Sequence, residues 1–211
     1  MHPELNTQEI INYYDHCQVD YELVWHLKTK MCMHYGYWDD TTSTLREALV
    51  NMNKRVAAFA QVQKGDYVLD AGCGVGGSSI FLAKTLNCIT KGITLSEKQV
   101  NTCRDNAAKH NVTHQCTFEV QNYLATDFAD NTFDIVWAIE SVCYAFDKAD
   151  WKSVGAYDKT NRTRQYAAAN PLSAVSNKEV DKKLETEFPK IYFFIMFLIC
   201  CGYLWFENKI L

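Results

Sequence analysis

The sequence lacks any block of basic residues. Its 21 lysines and arginines are outnumbered by 25 aspartates and glutamates, which gives a formal net charge of −4, and the two signs are mixed along the chain. A protein that holds nucleic acid by its phosphates needs clustered positive charge. We therefore expect no nucleic-acid partner, and a small molecule is the more suitable ligand.

Signals for secretion and for disulfide bonds are lacking as well. The opening residues, MHPELNTQEI, are polar where a secretory signal would be basic and then apolar. The nine cysteines are an odd number, and none of them forms a CxxC pair. We expect a cytoplasmic protein whose cysteines are free thiols.

A set of metal ligands is also absent. His110 and His114 have the i, i+4 spacing of zinc ligands on a helix, but they fall where a helix should end. No third ligand accompanies them in the sequence. We therefore expect no bound metal.

What is present suffices for one ordinary core, since 48% of the 211 residues are hydrophobic and 22% are charged. Three parts are predicted: an N-terminal helical cap over residues 1–62, a core over 63–150 and a divergent C-terminal segment over 151–211. The best-defined helix of the cap begins after Ser43 or Thr44 and runs to Gln61. Its apolar residues have the spacing of one buried face, namely Leu45, Ala48, Leu49, Met52, Val56 and Phe59.

From Lys64 onward, short apolar runs alternate with helix-like stretches. The predicted strands are YVLDA, CITKGITL, QCTFEVQN and FDIVWAI, and the predicted helices are SSIFLAKTL and EKQVNTCRDNAAKH, the second capped by Ser96. Strands that alternate with helices predict an α/β fold, with a Rossmann-like parallel sheet and flanking helices. No strand is predicted after Asp150.

The residues GCGVGG, 72–77, directly follow the first predicted strand, and we call them the glycine turn. At such a turn the following helix offers free N–H groups, and glycines let a ligand touch the backbone. The G-x-G-x-x-G spacing also fits a dinucleotide site. Two residues favour S-adenosylmethionine instead, because Asp70 would repel a pyrophosphate and Thr94 stands where an NAD site has an acid.

Three motifs in this order, VLDAGCGVGGSS, KGITLSEKQ and FDIVWAIESVCY, resemble the class I S-adenosylmethionine-dependent methyltransferases. The nearest branch holds sterol C-methyltransferases, tocopherol methyltransferases and cyclopropane fatty acid synthases. The likeness runs from about Tyr13 to about Asp150. It implies the class I methyltransferase fold and methyl transfer from S-adenosyl-L-methionine to a small, lipophilic acceptor. Because the family continues with further strands, this chain is expected to lack the usual last ones.

The resemblance also implies which residues contact the cofactor. It places Asp70, Gly72 and Gly74 at the methionine end, Thr94, Leu95 and Gln99 at the ribose, and Gln121 and Asn122 at the adenine, where the family usually has an aspartate. Gly76 is expected to contribute through the geometry of the glycine turn itself. In relatives, a stretch corresponding to MHYGYW, residues 33–38, closes over the cofactor. We call this stretch the aromatic segment, and His34 is its expected cofactor contact.

Glu140 directly follows the fourth predicted strand, at the edge where open α/β sheets bind ligands. Relatives have a glutamate at this position near the substrate, and Glu140, Tyr35 and Tyr37 are the predicted catalytic residues. Such groups would stabilise the cation formed on methylating an alkene, or assist deprotonation of a phenol. The family commonly has a histidine where this chain has Tyr144. The alternative interpretation is a truncated, catalytically inactive protein that binds the cofactor or a partner.

The segment IYFFIMFLICCGYLWF, residues 191–206, is uncharged and mostly apolar. As a helix it would span about 24 Å, against roughly 30 Å for the hydrocarbon core of a membrane. Three interpretations remain open: contact with a membrane through an anchor, a buried element of the core, and an ending produced by truncation or alternative splicing.

Overall fold

The computed structural model describes residues 8, 10–12, 31–32, 34–141 and 164–168, the last of these as backbone. All of them lie within the first of two compact units, residues 1–170. The apolar run at 191–206 lies outside the described residues, as do Tyr13 and Tyr144. Within the described part of the chain, no helix combines the length and the apolar character needed to cross a membrane.

Three helices and five strands make up the described fold. The helices are α1 (Leu45–Phe59), α2 (Gly77–Leu86) and α3 (Glu97–Lys109), and the strands are β1 (Tyr67–Ala71), β2 (Ile89–Thr94), β3 (Cys116–Val120), β4 (Ile135–Ile139) and β5 (Arg164–Ala168). The four strands and two helices predicted between Lys64 and Asp150 are confirmed. The predicted cap of the last helix is also correct, because the Ser96 side chain accepts a hydrogen bond from Gln99 N.

All neighbouring strands of the sheet are parallel, in the order β3-β2-β1-β4-β5. The central strand β1 pairs with β2 on one side and β4 on the other, so that Asp70 lies in register with Gly92 and Trp137. The strand order changes direction at β1 and β4, which is the position where open α/β sheets bind ligands. The predicted Rossmann-like class I fold is confirmed.

Strand β5 corrects the prediction that the sheet receives nothing after Asp150. It pairs with β4 from Ile135 opposite Arg164 to Ile139 opposite Ala168. Its sequence, RQYAA, has only one aromatic and no β-branched residue, so its intrinsic strand preference is weak. The conformation of such a segment depends on pairing with the edge of an existing strand, and the local sequence does not encode that pairing. Any later strand lies outside the described residues.

Helix α1 begins at a capping box. The Thr44 side chain accepts from Glu47 N, and the Glu47 side chain accepts from Thr44 N. The predicted buried face is correct at Ala48, Leu49, Met52 and Val56. It is wrong at Phe59, which is 73% exposed, because Phe59 is the last residue of the helix and lies at the edge of that face. A polar residue, Asn53, occupies the centre of the face and is 2% exposed.

The two faces of the sheet are covered differently in the described residues. All three helices pack on one face, against side chains that include Val68, Cys116, Phe118, Ile135 and Trp137. On the opposite face, Leu69, Ala71, Ile93, Val136 and Ala138 are covered by Tyr123, Leu124, Phe128 and Phe133 from the loop between β3 and β4. The carboxyl ends of the strands are left for loops, and the predicted site residues lie there.

Candidate functional site

The glycine turn connects β1 to α2 through a backbone that only glycine adopts readily. Gly72, Gly74 and Gly76 have φ values of +87°, +54° and +86°. The turn is fixed to β2, because Gly72 N and Cys73 N each donate to Ile93 O at 2.9 Å. Gly76 is the N-cap of α2 and provides no capping side chain, while the backbone N–H of Ser79 in the first turn donates to Asp70. Such a helix start suits an anionic group of a ligand.

Asp70 lies beneath the glycine turn and is 3% exposed. Its Oδ2 accepts a hydrogen bond of 2.6 Å from Ser79 Oγ, which ties β1 to α2. Burial raises the pKa of Asp70 to about 6, against the opposing effect of the hydrogen bonds from Ser79. The carboxylate therefore still carries its charge at neutral pH. Its direct contact with a cofactor stays a prediction.

The end of β4 lies against the glycine turn. Ser141 Oγ donates a 2.6 Å hydrogen bond to Ala71 O, and a Cβ added to Gly72 would lie 2.3 Å from Ser141 Cβ. Only a glycine permits this approach. The contact places Glu140, the neighbour of Ser141, beside the turn, as its position after the fourth strand predicts.

Glu140 itself has an unusual environment. Its φ of +57° is uncommon for a residue with a side chain. Glu140 Oε1 accepts a hydrogen bond of 2.8 Å from Tyr35 N. Burial raises the pKa of Glu140 to about 7, and the bond from Tyr35 opposes that rise. A carboxyl group that titrates near neutrality can both accept and release a proton under ordinary conditions.

The aromatic segment divides its predicted site residues between two places. His34 is 5% exposed, and the backbone of Tyr35 contacts Glu140. Tyr37 turns toward α1 instead: Arg55 Cζ lies 5.4 Å from the centroid of its ring, and its backbone N donates to Ala48 O. The structure thus brings Tyr35 to Glu140 and packs Tyr37 against the helix. The catalytic roles of both tyrosines, and the cofactor contact of His34, stay predictions.

At the end of β2, two of the predicted ribose contacts bond to each other. Thr94 Oγ1 donates to Gln99 Oε1 at 2.5 Å, and both residues are buried. This bond fixes the turn from β2 into α3. Leu95 between them is partly exposed, which leaves it as the accessible residue of the three.

At the end of β3, the predicted adenine contacts hold the following loop. Gln121 Nε2 donates to carboxylates of Glu119 and Asp127, while Gln121 Oε1 is buried without a hydrogen bond among the described residues. Asn122 Oδ1 accepts from Leu124 N at 2.9 Å. Both residues are partly exposed.

His110 lies at the C-cap of α3, and its Nδ1 is 3.3 Å from Lys84 Nζ. Burial and the positive charges of Lys84 and Lys109 lower the pKa of His110. Across the described part of the chain, no group of three or more His, Cys, Asp or Glu residues is arranged to hold a metal ion.

Sequence reasoning missed three polar residues near the site. Ser141 and Ser78 could not have been found, since serine after a strand or early in a helix has many ordinary roles. Asn53 could have been found from the sequence, because it interrupts an otherwise apolar face of α1. A polar residue at such a position needs a hydrogen-bond partner, and here it has several.

The residues that form this site include a segment that matches a known protein family. Residues 68–157 match the family described as methyltransferase domain. This segment, which is less than half of the chain, is similar to methyltransferase domains. The match begins in β1 and includes both the glycine turn and Glu140, whereas the aromatic segment and α1 precede it.

Curated relatives of the chain are methyltransferases named for different acceptors. The chain is 38% identical to the 27-O-demethylrifamycin SV methyltransferase of Amycolatopsis mediterranei, over 55% of this chain and 43% of that protein. It is 36% identical to the chloroplastic tocopherol O-methyltransferase of Arabidopsis thaliana, over 56% of this chain and 37% of that protein. The match thus spans less than half the length of either relative.

Solved structures agree with the methyltransferase fold. A crystal structure of a [4+2]-cyclase has a TM-score of 0.60 and 27% identity, covering 66% of this chain and 51% of that one. A geranyl diphosphate methyltransferase, solved with geranyl diphosphate and sinefungin, has a TM-score of 0.61 and 22% identity, covering 70% of this chain and 60% of that one. Because one structure is a cyclase and the other a methyltransferase, the fold alone does not determine the reaction.

Proposed function

We propose that this domain transfers a methyl group from S-adenosylmethionine to a small, lipophilic acceptor, with Glu140 beside the reacting centre. The observation that carries the proposal is the placement of Glu140 against the glycine turn. Ser141 fixes the end of β4 to Ala71, and Tyr35 N fixes the Glu140 carboxyl group. A titratable group is thereby held at the ligand-binding edge of the sheet.

The residues at this edge fit the chemistry of the proposed cofactor. Asp70 supplies negative charge suited to an ammonium group, and the start of α2 supplies N–H groups suited to a carboxylate. We propose that Leu95 covers the ribose and that the Asn122 amide meets the adenine. Thr94 and Gln99 shape this surface through their mutual bond. Of the predicted cofactor contacts, Gln121 is the least available to the adenine, because its side chain already donates to two carboxylates.

When bound, S-adenosylmethionine supplies a methyl group on a cationic sulfur, and the bond to sulfur breaks as the bond to the acceptor forms. The protein's part is to align the two reactants and to exclude water. An acceptor that loses a proton needs a base, and Glu140 has a pKa of about 7, which suits that role at neutral pH. For an alkene acceptor, the same carboxylate would stabilise developing positive charge.

The acceptor class rests on the relatives. A tocopherol O-methyltransferase and a sterol 24-C-methyltransferase of Saccharomyces cerevisiae are among them, the second at 40% identity over 43% of this chain and 24% of that protein. Both are named for lipophilic acceptors. We extend that class to this chain and leave the choice between carbon and oxygen methylation to experiment.

Transfer of labelled methyl from S-adenosylmethionine to a panel of sterols and prenylated phenols tests the proposal. We expect product with the full chain, and a fall in kcat of about 10²-fold or more in Glu140→Gln, which is typical for loss of a general base. Cofactor affinity should change little in that variant. Cofactor binding without transfer to any acceptor would favour the alternative, a catalytically inactive cofactor-binding protein.

A further inference from the structure

A continuous run of hydrogen bonds joins the helix after the glycine turn to the aromatic segment. Ser78 Oγ, in the first turn of α2, donates to Asn53 Oδ1 of α1 at 2.9 Å. Asn53 Nδ2 then lies 3.2 Å from His34 Nε2. Three separate parts of the chain meet in these two bonds, and Asn53 is at their centre.

The same run continues from the aromatic segment to Glu140. His34 Nδ1 lies 2.7 Å from Tyr35 O, and Tyr35 N donates to Glu140 Oε1 at 2.8 Å. Both polar atoms of the Tyr35 residue's backbone are therefore held, one by His34 and the other by Glu140. We call the whole run the Ser78–Glu140 chain.

The partners fix the direction of every bond in the chain. Asn53 Nδ2 also lies 3.4 Å from Leu49 O, which can only accept, so this atom is the donating nitrogen of the amide. His34 Nε2 must then accept, which leaves the ring proton on Nδ1. That proton faces Tyr35 O, a carbonyl that requires a donor. One arrangement satisfies all the contacts, with His34 neutral and protonated at Nδ1.

The environment of His34 agrees with a neutral ring. Burial lowers the pKa of His34, against the raising effect of its bond to Tyr35 O. At both His34 and Glu140, burial is the largest cause of the shift in pKa, and the hydrogen bond with the Tyr35 backbone opposes it. An imidazolium would place a second N–H against the Asn53 donor, which is unfavourable.

Burying Asn53 is energetically unfavourable if its only role is to pack against other side chains. It is 2% exposed in the apolar face of α1, where an aliphatic side chain would bury surface without needing partners. Asparagine is also a poor helix former in the interior of a helix. Its position is explained by what it binds, namely Ser78 in the first turn of α2 and the His34 ring.

We propose that Asn53 is a positioning residue: by setting the tautomer of His34 it holds the Tyr35 backbone against Glu140 and couples that carboxyl group to the helix of the glycine turn. The consequence for catalysis rests on the proposed function. The coupling itself is a property of this chain without cofactor, and it is measured without cofactor.

The test compares Asn53→Leu with Asn51→Leu in the full chain. Asn51 lies two residues earlier on α1 and donates to Thr42 Oγ1, outside the Ser78–Glu140 chain, so it is a matched control. Nitrogen NMR of His34 reports the tautomer, and carbon NMR of Glu140 reports its titration midpoint. In Asn53→Leu we expect the Nδ1-protonated signature to be lost and the Glu140 midpoint to rise by about one pH unit, since the Tyr35 bond favours the carboxylate. Asn51→Leu should leave both unchanged.

Asn53→Asp gives the opposite prediction for His34 and serves if Asn53→Leu does not fold. An aspartate still accepts from Ser78 Oγ but presents an acceptor to His34 Nε2. His34 should then take up a second proton, and its pKa should rise from below its ordinary range to above it. Thermal melting of each variant establishes that it is folded before the NMR spectra are compared.

Unchanged His34 nitrogen shifts and an unchanged Glu140 midpoint in Asn53→Leu would overturn the proposal, as would a neutral His34 in Asn53→Asp. Neither result depends on cofactor binding or turnover. Conversely, failure of S-adenosylmethionine to bind would contradict the proposed function, but the NMR spectra would still test the role of Asn53.

Discussion

The carboxyl group of Glu140 links the stability of the domain to pH. Its pKa in the folded protein is about 7, above the ordinary glutamate value near 4.3. Well below pH 4 the group is protonated in both states and burial costs little. As pH rises toward 7 the unfolded chain releases the proton more readily than the folded one, so stability falls, and the loss is complete above pH 7.

Glu140→Gln should therefore stabilise the domain more at pH 8 than at pH 4.5, by about 1–3 kcal/mol after allowance for partial exposure. Urea unfolding at both pH values measures the difference. Equal effects of Glu140→Gln at the two pH values would show that this carboxyl group is not perturbed by folding.

Substitutions at Gly65 and Gly72 distinguish the cost of backbone strain from the cost of a steric clash. Gly65 and Gly72 have nearly the same φ, +89° and +87°, but a Cβ on Gly65 would meet nothing within 4 Å, whereas one on Gly72 would meet Ser141. Gly65→Ala should cost about 1 kcal/mol of stability from the left-handed backbone alone. Gly72→Ala should cost about 1–3 kcal/mol more, because β4 must move. Denaturant unfolding of both variants checks this, and equal losses would contradict the close approach of Ser141.

For single residues, the sequence predicts where a residue lies along a strand better than it predicts which distant residue it contacts. Asp70 and Glu140 were placed at the ends of β1 and β4 because strand ends can be read from local pattern. The bond from Tyr35 N to Glu140 joins residues 105 positions apart, and nothing in the local pattern encodes it. Tyr37 illustrates the same limit, since its preference for Arg55 and α1 depends on tertiary packing.

Among the elements, α1 depends on its capping box. The Thr44 side chain satisfies Glu47 N, and without it this N–H loses its partner. Thr44→Ala should destabilise the domain by about 1 kcal/mol in urea unfolding, whereas Ser43→Ala, whose side chain takes no part in the cap, should be near neutral. Equal effects would place the start of α1 at a different residue.

The contrast between β1 and β5 shows which elements the sequence can reveal. β1 is a buried apolar run followed by glycines, and both features are local. β5 is RQYAA, which reads as neither a strand nor a helix and becomes a strand through pairing with β4. Elements at the edge of a sheet are generally harder to predict, because their environment rather than their composition selects the conformation.

For the whole molecule, β5 determines whether β4 has an open edge. A chain ending at residue 150 would leave β4 unpaired on that side, with its backbone N–H and C=O groups exposed. We expect such a chain to aggregate at concentrations where the full chain does not, as measured by light scattering. A monodisperse truncated chain with the same melting temperature as the full chain would show that β5 contributes little.

Binding of S-adenosylmethionine at the glycine turn can be measured by isothermal titration. We expect binding in the micromolar range for the full chain, retention of that affinity in Gly65→Ala and its loss in Gly72→Ala, where the turn itself is displaced. If the full chain shows no detectable binding up to millimolar cofactor, the glycine turn is not a site for S-adenosylmethionine.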